Sequence, residues 1–224
     1  MEFEMKKALM ILAAGSAFVA VPALAQGADP TFTGPRVGVL LGYDISQAGS
    51  SVDDDSEIDN DQSMEGLLYG VEAGYDVSLG GLVVGAEASY TDSTAKTEFE
   101  DGDFEGFGLG SVKANRDIYV GARIGGKITP KTLLYAKGGY TNAKFDATSS
   151  DGTTEFSQDI DTDGYRIGAG VEQAINEKTY AKLEYNYSNY SNAEIDFNGA
   201  LPDSDRFDVD LDRHQVVASV GMRF

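Results

Sequence analysis

The segment Asp159-Ile-Asp161-Thr-Asp163-Gly164 puts carboxylates at alternate positions ahead of a glycine, which is how a calcium-binding loop opens. Such a loop closes on a bidentate glutamate at its twelfth position, where this chain has Gly170. The segment therefore points to weak, millimolar cation binding rather than to a dedicated site. The run Asp53-Asp54-Asp55-Ser56-Glu57 lacks even the turn glycine. His214 is the one histidine, and a lipid-acting hydrolase would need it as general base. No serine or threonine stands two positions away on the same face; Gln215 and Val216 follow it instead. The chain has no cysteine, which removes thiol catalysis, Cys-ligated zinc and disulfides. These residues predict no enzyme, no cofactor and no metal centre.

A larger set of ionisable residues recurs at every second position, so the elements that carry them must be strands. Val37, Val39, Leu41 and Tyr43 alternate with Arg36, Gly38, Leu40, Gly42 and Asp44, and Leu67 to Val77 repeats the pattern around Gly70, Glu72, Gly74 and Asp76. The same alternation runs through Leu82 to Tyr90, Ile118 to Ile128, Leu134 to Tyr140, Tyr165 to Val171, Ala181 to Tyr187 and Val216 to Phe224. Eight strands result. Short connections near Ser78 to Gly81, Thr129 to Thr132 and Ile175 to Lys178 read as hairpin turns. The other four, near 45–65, 91–115, 145–163 and 189–211, run to about 20 residues each, long for a compact soluble domain. Long and short connections therefore lie on opposite rims of an up-and-down meander, with both termini on the short-turn rim.

Fourteen ionisable residues share the glycine-containing face: Arg36, Asp44, Glu72, Asp76, Glu87, Arg123, Lys127, Lys137, Arg166, Glu172, Lys182, Glu184, Arg213 and Arg223. A soluble barrel of the lipocalin kind would need an apolar lumen. The opposite arrangement satisfies the charges: this face lines the lumen, where acids and bases pair, and the aliphatic face meets lipid. Glu72, Glu87 and Glu184 are expected to pair with Arg123, Lys137, Arg166 or Lys182. Glycines such as Gly70, Gly74, Gly85, Gly121, Gly125, Gly168 and Gly170 leave room for small water-filled pockets, not for a general diffusion channel. The outward tyrosines Tyr43, Tyr69, Tyr90, Tyr140, Tyr165 and Tyr187 all fall near the long-connection rim, as an interfacial girdle does, and Tyr75 and Phe224 mark the other interface. Lys6 and Lys7, the apolar run Ala8 to Val21 and Ala23-Leu24-Ala25 have the layout of a cleavable signal peptide, giving a signal over 1–25 and a barrel domain over 26–224.

The stretches LLYAKGGYTNAKF at Leu133 to Phe145, GYRIGAGVEQAI at Gly164 to Ile175, YAKLEYNY at Tyr180 to Tyr187 and the terminal VGMRF resemble those of small bacterial outer-membrane β-barrel proteins, the OmpA/OmpX-like, porin-family group. The resemblance covers the chain beyond the signal. It implies an all-β, eight-stranded antiparallel transmembrane barrel in the Gram-negative outer membrane. It also implies contact with lipopolysaccharide, and folding by the outer-membrane assembly machinery that reads the last strand, with Phe224 as the terminal assembly signal. The family's glycine five residues before the terminal aromatic is Ser219 here. With Phe224 as the last residue, the peptidoglycan-binding domain of longer relatives is expected to be absent.

Net charge is −20, which repels phosphate backbones and argues against nucleic-acid partners. The four long connections together carry −22, so essentially the whole net charge sits at one rim. Two readings of that rim stand: a solvated, repulsive surface, or a patch that engages divalent cations, lipopolysaccharide or basic surface ligands. The sequence predicts a monomeric, non-enzymatic cell-surface barrel serving envelope integrity or adhesion and ligand binding. The alternative is a narrow ion or small-solute pore.

Overall fold

The computed structural model describes residues 30–48, 62–98, 109–150, 155–196 and 207–224. The segment read as a signal peptide lies outside them. A short 3-10 turn, Pro30–Phe32, leads into β1 (Gly34–Ala48), β2 (Gln62–Leu79), β3 (Leu82–Ser93), β4 (Lys96–Glu98), β5 (Leu109–Thr129), β6 (Thr132–Ser150), β7 (Glu155–Ala174), β8 (Thr179–Asp196) and β9 (Phe207–Arg223). The segments β3 and β4 form a single stave interrupted at Thr94 and Ala95, since both pair with β5. Neighbours follow the order β3-β2-β1-β9-β8-β7-β6-β5-β4, and the β3–β5 pairing closes the ring. The result is the eight-stave antiparallel barrel that the alternation predicts.

Each stave keeps the two-residue period of side-chain direction. Along β1, Val37, Val39 and Leu41 are exposed while Arg36, Leu40 and Asp44 are buried. A soluble protein does not present this many adjacent exposed aliphatics; a barrel in hydrocarbon does. The β2–β3 turn needs Gly80, which has φ 72°, a left-handed conformation that glycine adopts without strain. At the β7–β8 turn the Asn176 side-chain carbonyl accepts hydrogen bonds from the Lys178 and Thr179 amides, at 2.9 and 2.8 Å.

Two features differ from the sequence reading. Apart from the three-residue β4, the strands run from 12 to 21 residues, beyond the 9 to 11 or so of a bare membrane crossing. They take up much of what spacing alone assigns to long connections: β6 and β7 pair out to Ser150 and Glu155, and β7 and β8 out to Asp159 and Asp196. Beyond the lipid both faces of a strand are polar, so the hydrophobic alternation stops before the ladder does. The calcium-loop-like segment Asp159 to Gly164 accordingly lies in β7, extended and paired on both sides, not in a loop. The second difference is the space over the inner glycines, which neighbouring side chains occupy. A Cβ on Gly85 would lie 2.1 Å from an Asp76 carboxylate oxygen, one on Gly121 2.1 Å from the Tyr119 hydroxyl, and one on Gly221 2.3 Å from that of Tyr180.

Candidate functional site

The strands deliver two ionic clusters to the lumen. Near the short-turn rim, Asp76 on β2 accepts hydrogen bonds from three guanidinium groups: Arg36 Nε at 3.0 Å, Arg123 Nε and Nη2 at 2.8 and 2.6 Å, and Arg223 Nη1 at 2.7 Å. Glu172 takes Arg123 and Arg223, each at 2.8 Å. Arg36 also reaches Glu87 and, at 3.6 Å, Glu72. Lys137 lies 2.7 Å from Glu87 and 3.1 Å from Glu184, and Lys182 lies 2.7 Å from Glu72 and 3.0 Å from Glu184. The hydroxyls of Tyr180 and Tyr135 donate to Glu72 and Glu184.

A second cluster sits nearer the long-strand rim. Asp117 on β5 accepts from Arg166 at 2.5 Å, Arg213 at 2.8 Å, the Thr141 hydroxyl at 2.8 Å and the Tyr190 hydroxyl at 3.0 Å. Arg213 continues to Asp44 through Nε at 2.7 Å, and Arg166 Nε donates to Ser188 Oγ at 2.7 Å. Between the clusters Lys137 and Arg166 stand over the Tyr119 ring, 4.8 and 5.4 Å from its centroid.

Among the described residues the buried charges balance. Arg36, Arg123, Lys137, Arg166, Lys182, Arg213 and Arg223 face Asp44, Glu72, Asp76, Glu87, Asp117, Glu172 and Glu184. Pairing of this kind is what makes so many ions tolerable at low dielectric. The expected partners hold for Lys137 and Lys182. Arg123 and Arg166 differ from expectation, because Asp76, Glu172 and Asp117 are the carboxylates within their reach. Lys127 lies apart from the buried set, half-exposed at the mouth, with Nζ 2.9 Å from Ser78 Oγ.

Apolar clusters cover both ends of this network. At the short-turn end Phe32 packs with Val83, Leu133, Tyr135 and Ala174, and the Thr33 hydroxyl accepts the Ser78 amide proton at 3.1 Å. At the other end Ala95, Ala114, Ala143, Phe145 and Tyr190 pack together, with Ile160 and Leu211 against them. Sequence reading missed Phe32, Asp117 and the inward tyrosines Tyr119, Tyr135, Tyr180 and Tyr190. The signal for Asp117 was its parity with Tyr119 and Arg123, available only once β5 is extended below Ile118.

On the outside, Tyr43, Tyr69, Tyr90, Tyr140 and Tyr165 are exposed and Tyr187 is half-exposed. Phe224 is exposed at the opposite end, its amide bonded to the Pro35 carbonyl at 2.9 Å. His214 points outward beside Tyr185, whose hydroxyl is 2.7 Å from Nδ1. One row above the girdle, hydrogen bonds from Tyr187 and Asn189 hold the Asp212 carboxyl below the usual carboxylate range.

Comparison with known proteins gives a consistent setting. Residues 11–224 match the model of the family described as outer membrane protein beta-barrel domain. The chain is 31% identical over 108 residues to a 22 kDa outer membrane protein of Rhizobium leguminosarum bv. viciae, a match that takes in 47% of this chain and 45% of that protein. The match thus spans less than half the length of that curated relative. Among solved structures the chain is similar to Ail, the attachment invasion locus protein of Yersinia pestis, with 16% identity and TM-score 0.45 over 86% of this chain and 99% of the other. It is also similar to Neisserial surface protein A, with 13% identity and TM-score 0.49 over 89% and 100%.

Proposed function

Since the chain belongs to the outer membrane protein beta-barrel domain family, we propose that it is a non-enzymatic structural barrel whose work is done from its outer surface and long-strand rim. One observation carries this reading: the lumen holds a charge-balanced ion network with an apolar cluster over each end. A transport path needs continuous water, and a network packed against the inner glycines supplies none. The remaining surfaces are the lipid face and the acidic rim.

In sequence, the segments 45–65, 91–115, 145–163 and 189–211 together carry −22. Carboxylates at this density attract Mg²⁺, Ca²⁺ and basic ligands, and through bridging cations they join the barrel to neighbouring lipopolysaccharide. Envelope integrity and surface adhesion are the roles that follow. The assembly machinery engages the last strand through Phe224, and the folded barrel acts as a monomer.

The test replaces Asp53, Asp54, Asp55, Glu57, Asp59, Asp61, Asp203 and Asp205 with Asn or Gln. It then measures Mg²⁺-dependent binding of lipopolysaccharide vesicles to the refolded protein. Exposed charges are screened within about 8 Å at physiological ionic strength, so binding by the parent should weaken steeply with salt. The variant should lose that dependence and most of the binding. Equal, salt-independent binding by both proteins contradicts the reading.

A further inference from the structure

From the tyrosine row upward, the same three-residue arrangement occurs twice. On β6 and β7 the Tyr140 hydroxyl and the Asn142 amide, the latter at 3.0 Å, both donate to Asp163 Oδ1. On β8 and β9 the Tyr187 hydroxyl, at 2.6 Å, and the Asn189 amide, at 3.0 Å, both donate to Asp212 Oδ1. In each case Tyr-x-Asn on one strand grips an aspartate on the next. Tyr165 joins the two sets, being the ladder partner of Tyr140 on one side and of Asn189 on the other. The His214 ring extends the row, 5.2 Å from that of Tyr187. None of these side chains takes part in the buried ion network. All face outward, where the aliphatic band gives way to the polar rim.

We propose that this row is a ledge for the sugar headgroup of the glycolipid that forms the outer leaflet. The tyrosine and imidazole faces offer flat apolar surface for the C–H face of a pyranose ring. The amides and carboxylates offer paired acceptors and donors for its hydroxyls, a few fixed polar groups set in an aromatic platform. The two sets lie two strand spacings apart, about 10 Å, the span of one or two linked sugar rings. Charge favours sugar over phosphate: the row itself carries the carboxylates Asp163 and Asp212, and the cations one step beyond it on that face, Arg116 and Lys144, are held by Asp161 at 3.3 and 3.5 Å. The ledge rests on the surface reading above only for its environment, the outer leaflet.

The test uses the full chain folded in phosphatidylcholine nanodiscs, with lipid binding followed by native mass spectrometry. Three probes are compared: lipid A, which is an acylated glucosamine disaccharide diphosphate; the same lipid with its phosphates removed; and phosphatidylglycerol, which is anionic but carries no sugar ring. The dephosphorylated lipid A should bind at least as well as lipid A, and phosphatidylglycerol about tenfold more weakly, or about 1.4 kcal/mol. The double variant Asn142→Ala/Asn189→Ala should lose about tenfold on both sugar lipids, with heat-modifiable migration unchanged to certify the fold. The loop-acid variant described above should bind the dephosphorylated lipid normally, which separates failure of the ledge from failure of the rim. Binding that requires the phosphates overturns the proposal, as does phosphatidylglycerol bound as tightly as lipid A. Unchanged affinity in the folded double variant also overturns it and leaves the two sets as props for tyrosine rotamers.

Discussion

Replacing Asp117 with asparagine should destabilise the folded barrel by about 3 to 5 kcal/mol, the cost of leaving a buried charge without its partner. Asp117 is fully buried and gathers Arg166, Arg213, Thr141 and Tyr190. Arg213 keeps Asp44 when the charge at 117 is lost, but Asp117 is the carboxylate that neutralises Arg166. A neutral amide of nearly the same shape keeps the packing, removes the charge and turns one acceptor oxygen into an N–H donor that faces other donors, so the loss reports the charge and hydrogen bonds of this node rather than its volume. Reversible urea unfolding in phosphatidylcholine vesicles measures it. Glu177→Gln at the exposed β7–β8 turn serves as control and should stay within about 0.5 kcal/mol. Equal tolerance at the two positions would mean that water reaches Arg166 and that the lumen is not the sealed interior described.

The second large effect concerns the outer face. Leu183 is exposed on β8, four residues below the girdle residue Tyr187 and flanked in sequence by the buried Lys182 and Glu184. An arginine at 183 should cost about 2 to 4 kcal/mol, the range for a cation on the lipid face near the bilayer midplane. The adjacent Lys182 carries the same charge without that penalty, because it points inward to Glu72 and Glu184. One residue of displacement reverses the environment completely. The same urea titration tests this, and a Leu183→Arg protein as stable as the parent would refute the assignment of faces.

Both effects rest on side-chain parity, which is why much of the barrel was legible in the sequence. A strand with lipid on one side and ions on the other writes its faces as strict alternation, so Arg36, Glu72, Lys182 and their neighbours could be placed inside from β1, β2 and β8 alone. Parity does not say which acid meets which base. Arg36 on β1 reaches Glu87 on β3, and Arg213 on β9 reaches Asp117 on β5. Such contacts depend on the stagger and curvature of the closed sheet. The register shift between Ala114 and Asp117 also breaks the pattern at the start of the β5 crossing, so Asp117 dropped out of the inward set. Phe32 belongs to no strand, and nothing periodic marks it as the residue that packs beneath Leu133 and Tyr135. The outward direction of Tyr140 and Tyr187 was readable by parity, whereas their pairing with Asp163 and Asp212 needed the register of neighbouring strands.

A lumen filled by its own ion pairs leaves no conduction path, and conductance of the purified, refolded full chain in a planar bilayer shows whether one exists. Bilayers should stay at baseline after insertion, with no steady step that scales with salt. A stable, ion-selective channel of uniform step size would contradict it and would move the function from the outer surface into the lumen.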